Sequence, residues 1–353
     1  MFLLRVFLFP LAVMYDLITR LRNRLYDLRL KPSTRFDIPV IGVGNLAVGG
    51  SGKTPMIEYL IRLLRPQYRL ATLSRGYGRR TTGVRVAGKS DNADTIGDEP
   101  YQLHLKFPEV AVAVGEDRVL AVPALLDESP ETAVILLDDA FQHRRIKAGL
   151  EILVTEYSRP FYRDYVLPSG RLRESRAGAA RAHLVVVTKC PPDLSAAEEA
   201  KIRASIARYT GRPVFFAGIR YGQPLPFGGH AFPLRDKVLL VTGIANPEPL
   251  RSHISANFVI TRHLAFGDHY PYSVNDMERI RSLVTEDMSV LTTEKDRVKL
   301  EKLVDGSKGS GYRLPLFYMP IEMTFLKNGE DFDAMIIRTI EKEAARNEQP
   351  EKA

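Results

Sequence analysis

The chain has 353 residues and one cysteine, Cys190, so no intrachain disulfide can form, and the lack of paired cysteines argues against a structural zinc site. Hydrophobic residues at 45% and charged residues at 26% give the balance of a folded chain, long enough for one large α/β domain or two unequal lobes around a cleft. The formal net charge of +8 suits anionic partners such as nucleic acid, acidic lipid or phosphorylated substrates, and the lone cysteine suits a reducing, cytoplasmic compartment.

The first segment, MFLLRVFLFPLAVMYDLIT, is apolar but broken by Arg5 and Asp16. Its uncharged run, residues 6–15, falls short of the roughly 20 apolar residues a membrane span needs. Arg20, Arg22, Arg24, Arg29, Lys31 and Arg35 follow directly. An apolar helix followed by a basic cluster predicts a membrane-surface or marginally inserted element, with its apolar face in the acyl boundary and its guanidinium groups against anionic lipids. A helix packed on the core is one rival. A cleaved signal peptide is another and fits poorly, because no small-residue cleavage site follows.

Beyond this, short β-branched runs alternate with helix-period segments. Strands are expected at 39–43, 69–73, 110–114, 133–137, 152–154 and 184–187, with helices at 54–64, 99–107 and 196–209 between them. Such alternation predicts an α/β fold: a P-loop NTPase-like parallel sheet with helices on both faces. A Gly/Pro-rich stretch, 221–233, reads as a connection. After it come a strand at 237–241, helices near 247–253 and 274–284, a strand near 289–291, and a last helix at about 330–345 before a polar, fraying tail, RNEQPEKA. The expected division is a membrane-associating helix at 1–28, a P-loop core at 29–225 and a smaller α/β lobe at 226–353.

The strongest local signal is Ala47-Val48-Gly49-Gly50-Ser51-Gly52-Lys53-Thr54, which follows the strand-like IPVIGVGN and opens a helix. This is the strand–loop–helix context of a phosphate-binding loop, with alanine at the usual first glycine. Its backbone N–H groups would close around phosphates at the positive end of the helix, Lys53 would reach the β/γ-phosphates, and the Thr54 hydroxyl would ligate Mg²⁺. A second apolar run, 133–137, ends in Asp138-Asp139, where P-loop proteins place the acid that serves the metal.

Other clusters are ambiguous from residues alone. Gly97-Asp98-Glu99-Pro100 could be a helix start or could supply a proton-accepting carboxylate. Phe266-Gly267-Asp268-His269-Tyr270-Pro271 sets an acid beside a histidine that could equally be structural. Two arginine-rich loops, 74–80 and 168–174, could bind phosphate or carry solvated charge.

Taken in order, GNLAVGGSGKTP, SRGYGRR, GDEPYQL, VGEDR, LDDAFQHRR, LPSGRLRE, VVTKC, TGIANP, FGDHYPY and TTEKD resemble the tetraacyldisaccharide 4′-kinases, the lipid A 4′-kinases of Gram-negative envelopes. Ala140 stands where that family more often has glycine, which touches only the local turn. The resemblance implies an ATP- and Mg²⁺-dependent kinase at the cytoplasmic face of the inner membrane, acting on a lipid A precursor, tetraacyldisaccharide 1-phosphate. It also implies Asp98 as catalytic base with His269 as partner. Glu99, Asp138 and Asp139 would serve the metal, and Arg75, Arg79, Arg118 and Arg171 would hold nucleotide or substrate phosphates. No nucleic-acid recognition module and no obligate protein partner is inferred. The alternative is a P-loop switch that only hydrolyses nucleotide. Its guanine-reading element would be Thr188-Lys189-Cys190-Pro191, which lacks the required aspartate.

Overall fold

Runs of valine, leucine and isoleucine too short for helices become buried strands, and the helices between them cover both sheet faces. In the computed structural model, which describes residues 2–229, 232–305 and 313–348, the chain builds two sheets. It begins with helix α1 (Phe2–Asp27). Eight strands follow: β1 (Val40–Gly44), β2 (Leu70–Ser74), β3 (Arg85–Val86), β4 (Ala111–Val114), β5 (Val134–Asp138), β6 (Leu150–Glu156), β7 (Leu184–Thr188) and β8 (Val214–Tyr221). The helices among them are α2 (Lys53–Leu64), α3 (Ala93–Ile96), α4 (Asp98–Lys106), α5 (Arg118–Glu128) and α6 (Ala196–Ala207).

The second sheet takes β9 (Leu225–Pro226), β10 (Lys237–Thr242), β11 (Val259–Ala265), β12 (Met288–Thr293) and β13 (Leu316–Met319), with α7 (Glu248–Ser255), α8 (Val274–Leu283) and α9 (Glu294–Asp305). The chain then returns through β14 (Ile321–Phe325) and α10 (Gly329–Glu348) to the first sheet. Residues 321–348 therefore differ in sheet membership from the division expected at 226: β14 pairs with β8, and Phe332, Ile336 and Ile340 of α10 join the large core.

The large sheet runs β14-β8-β7-β6-β1-β5-β2-β4-β3, and the small one β11-β10-β12-β13-β9. From β8 to β4 every pairing is parallel, and the antiparallel β14 and β3 form the edges. Side chains alternate across the sheet with the period of two that a strand imposes. Ile41 and Val43 of β1 pack with Ile57 and Leu60 of α2 and Leu103 of α4, whereas Val40 packs with Val122 and Leu125 of α5. In the small sheet Met277 and Ile280 of α8 and Leu300 of α9 cover one face, while Leu250 and Ile254 of α7 cover the other. The loops after β1, β2, β4 and β5 leave the same carboxyl edge, where open α/β sheets gather their ligands.

Helix α1 lies outside both cores. Phe7 (80% exposed), Leu17 (62%), Ile18 (60%) and Leu21 (63%) face away from the protein, while Ala12 and Tyr26 are buried against it. The helix runs on through Arg20, Arg22 and Arg24, so part of the basic cluster lies on it rather than after it. Among the described residues no helix is long and apolar enough to cross a membrane. Residues 230 and 231 of the expected connection and 349–353 of the expected tail lie outside the described residues, and 346–348 are helical.

Candidate functional site

The glycine-rich loop turns sharply between β1 and α2. Gly49 has φ +104° and Gly52 φ +87°, a left-handed backbone that glycine adopts without steric cost and that aims the first N–H groups of α2 into the loop. Its cradle is built by neighbours. The Asn45 amide donates to the Ala47 carbonyl (2.6 Å) and to Ser51 Oγ (2.7 Å). The Thr188 hydroxyl donates to the Ser51 carbonyl (2.7 Å), and Lys189 Nζ to the Gly50 carbonyl (2.6 Å). The Val48 N–H donates to the Arg171 carbonyl and the Arg173 N–H to the Leu46 carbonyl, pinning the 168–174 loop along the P-loop's flank. With carbonyls held from outside, the loop's remaining N–H groups are left for an anion.

Lys53, the first residue of α2, extends toward Asp139, with Nζ–Oδ1 at 3.5 Å. The Asp139 Oδ2 accepts from Arg173 (2.7 Å), and its backbone adopts φ +50°. Asp138 is the buried last residue of β5, and burial, reinforced by the charge of Glu99, pushes its carboxyl up to about 7 despite Lys53. Asp139 is held low: burial would raise it, but the charges of Lys53 and Arg173 outweigh that.

Asp138 Oδ1 and Asp139 Oδ1 are buried with no hydrogen-bond partner, oxygens that fit a hard cation. Among the described residues no three acidic, histidine or cysteine side chains are gathered closely enough to cage a metal by themselves. The two orphaned carboxylate oxygens match the chemistry of Mg²⁺, which keeps several waters and takes one or two carboxylates alongside substrate phosphates.

The second half of the site spans the two sheets. Asp98 opens α4 after Gly97 (φ +96°), where a Cβ would lie 2.9 Å from the Tyr77 carbonyl. Its Oδ2 lies 3.2 Å from Lys299 Nζ and 3.5 Å from His269 Nδ1, both contributed by the small sheet's side. Burial would raise the Asp98 carboxyl, but the His269 hydrogen bond and the Lys299 charge hold it below the usual carboxylate value, so it is ionised at neutral pH. Lys295 Nζ sits 2.9 Å from His269 Nε2 and 3.1 Å from Asp268, and reaches toward Glu99 at 3.9 Å. His269 has φ +57° and meets the Tyr77 ring edge-on at 5.9 Å.

Lys53, Glu99, Asp138 and Asp139 thus share one charge cluster, and Asp98 and His269 pair beside it. The four expected arginines are placed differently from one another. Arg79 is folded inward onto Glu116 and the Gly83 carbonyl. Arg118 is buried, donating to the Asp139 carbonyl (3.1 Å) and to His143 Nδ1 (3.2 Å). Burial and that guanidinium push the His143 ring down to about 4, leaving it neutral. Arg171 pairs with Asp164 (2.9 Å) on the far flank of the P-loop, and Arg75 is exposed, close enough to Arg118 for their charges to repel. Sequence reasoning did not select Arg173, Thr188, Lys189, Lys295 or Lys299. All but Lys299 lie in the quoted segments LPSGRLRE, VVTKC and TTEKD, yet nothing in a linear pattern says which member of each reaches the site.

A family profile described as LpxK, tetraacyldisaccharide-1-P 4′-kinase, matches residues 4–341. The tetraacyldisaccharide 4′-kinase of Flavobacterium johnsoniae is 44% identical over 96% of this chain and 98% of its own length. That of Bacteroides thetaiotaomicron is 40% identical over 96% of this chain and 94% of its own. The crystal structure of LpxK from Aquifex aeolicus in complex with ATP superposes with a TM-score of 0.75 at 28% identity, covering 96% of this chain and 99% of that one.

Proposed function

Because this chain belongs to the tetraacyldisaccharide-1-phosphate 4′-kinase family, we propose that it transfers the γ-phosphate of ATP to the 4′-hydroxyl of a tetraacyldisaccharide 1-phosphate, a lipid A precursor. The observation that carries this reading is the pairing of two half-sites: a P-loop with Lys53 facing Asp139, and an ionised Asp98 clasped from the other sheet by His269 and Lys299. The first half neutralises phosphate charge, and the second presents a carboxylate to an incoming hydroxyl.

Phosphoryl transfer needs little covalent help, so positioning and charge neutralisation lower most of the barrier. The P-loop N–H groups and Lys53 hold the β/γ-phosphates, and Asp98 Oδ accepts the 4′-hydroxyl proton as the new P–O bond forms and the bond from the γ-phosphorus to the β–γ bridging oxygen breaks, releasing ADP. His269 and Lys299 keep that carboxylate oriented and charged. Thr54, Asp138, Asp139 and Glu99 would hold Mg²⁺, which would supply neutralisation of phosphate charge. Arg75 and Arg171 border the site and are candidates for anionic substrate groups. Helix α1 lies on the membrane surface at the cytoplasmic face of the inner membrane, a reading supported by its exposed Phe7, Leu17, Ile18 and Leu21 and its arginines. The chain divides into a membrane-associating helix at 1–28, a P-loop core from 29 to 225 and a smaller α/β lobe from 226, with 321–348 returning to the large sheet.

Incubating detergent-dispersed protein with γ-labelled ATP, Mg²⁺ and tetraacyldisaccharide 1-phosphate tests the reading. Label on the lipid with wild type, reduced at least about 100-fold in Lys53→Ala, is the expected result. Label released only as free phosphate would favour the hydrolytic switch.

A further inference from the structure

Helix α1 has a second stripe, at helical spacing, made of Ala12, Tyr15, Arg22, Asn23 and Tyr26. It grips the two segments beside Asp139 and the P-loop, around Gln142 and around Arg173. Tyr15 Oη donates to the Arg173 carbonyl (3.2 Å), Arg22 to the Gln142 carbonyl (2.9 Å), and the Asn23 amide to Glu174 Oε2 (2.5 Å). Arg144 returns the contact, donating to the Asn23 carbonyl (2.8 Å) and pairing with Asp27 (2.7 Å).

From Asn23 the hydrogen bonds continue without a break into the site. Glu174, only 2% exposed, accepts from Gln142 at its other oxygen (2.9 Å). The same Gln142 amide donates to the Asn45 carbonyl (2.9 Å), and Asn45 holds Ser51 of the P-loop. The Gln142 oxygen accepts from Arg173 (3.4 Å), whose guanidinium holds Asp139, the partner of Lys53.

We infer that α1 is a positioning element of the phosphoryl-transfer site as well as a membrane-facing helix: Asn23, through Glu174 and Gln142, sets Arg173 on Asp139 and Asn45 on the P-loop. Arg181 forks both Glu174 oxygens (2.9 Å to Oε2, 2.7 Å to Oε1), so without the Asn23 amide the carboxylate is free to pivot on that guanidinium and its aim at Gln142 slackens. Buried polar networks lose more than one bond when a member is removed, because the others lose their aim. An anchor needs none of these bonds, since a helix tethered by a loose linker would recruit the enzyme equally well. The inference rests on the kinase reading only for its turnover readout.

The test compares wild type with Asn23→Ala in detergent micelles, where recruitment to a membrane surface no longer limits the reaction. Two readouts are used: binding of a fluorescent ATP analogue, which needs no turnover, and steady-state lipid phosphorylation. In the variant, the analogue Kd should weaken about five-fold and kcat fall about ten-fold, with KM for the lipid within about two-fold of wild type. In a Gln142→Ala background the same substitution should add less than about two-fold, because the chain is already cut. Wild-type affinity and kcat in micelles would overturn the inference, as would a full additive loss in the double variant. A lower fraction of binding-competent protein at unchanged Kd would also overturn it, since that is a folding defect and not mispositioning. A wild type that binds the analogue but phosphorylates no lipid counts against the kinase reading, and the affinities still decide this one.

Discussion

Lys106, itself only partly buried, ties two buried carboxylates together across the two sheets. Its Nζ lies 2.8 Å from Glu58 Oε2 on α2 and 2.6 Å from Glu294 Oε1 at the start of α9. Glu58 is 2% exposed and Glu294 6%. In Lys106→Met, Glu58 keeps Arg62 (3.1 Å) and Gln102 (2.9 Å), whereas Glu294 keeps a hydrogen bond from the Ile321 backbone but, among the described residues, no other ion pair, and its Oε2 is already unpartnered. Removing one member of a buried ion cluster costs about 3–5 kcal/mol, and the lower end applies here because Glu58 stays paired. With an unfolding entropy of roughly 0.7 kcal/mol/K for a chain of this length, a loss of about 3 kcal/mol lowers Tm by about 4 °C. The loss depends on pH. Burial and the Glu58 charge raise the Glu294 carboxyl above its ordinary 4.5 even beside Lys106. A carboxyl raised in the folded state binds more protons there than in the unfolded chain, so stability falls as pH rises above about 4.5. Without Lys106 that gap widens, and the Tm deficit should be larger at pH 8 than at pH 5.5. Thermal melts followed by circular dichroism at both values provide the assay, and Lys106→Met/Glu294→Gln should regain most of the deficit at pH 8. A shift under about 1 °C at pH 8, or a larger deficit at pH 5.5, would refute the reasoning.

Asp98→Ala should lower kcat by about 10²–10⁴ while the ATP-analogue Kd stays within about two-fold, since proton acceptance is lost but the P-loop is intact. Collapse of nucleotide binding would instead make Asp98 part of the metal or structural framework. Thr188→Val removes the hydrogen bond to the Ser51 carbonyl and should raise KM for ATP about five-fold; an unchanged KM would show that the P-loop holds its shape without it. Chelating divalent cations should abolish label transfer and added Mg²⁺ restore it, and transfer that persists under chelation would remove Asp138 and Asp139 from a metal-holding role.

Much of the site was legible before any coordinates. The P-loop announces itself because phosphate binding demands a contiguous Gly-rich turn between a strand and a helix, and Asp138-Asp139 because a carboxylate pair ends an apolar run. The buried strands β1, β5 and β7 read as apolar runs for the same reason: both their faces are covered. Strands β8, β11, β13 and β14 and helices α5 and α9 were not singled out. Helix α5 carries an internal proline, Pro123, and half of β11 is exposed, so neither shows a clean period.

What the amino-acid order determined by itself was local: the phosphate-binding turn, the carboxylates after a buried strand, the alternation that makes a parallel sheet, and an apolar N-terminal segment leading into arginines. Tertiary structure decided which distant groups meet. Lys299 reaches Asp98 because α9 packs on α4, His269 reaches it from the loop after β11, and Asn23 joins Asp139 through three side chains drawn from two other segments. Such contacts depend on how faces dock, and docking is set by the summed burial of whole surfaces, which no short stretch of sequence records.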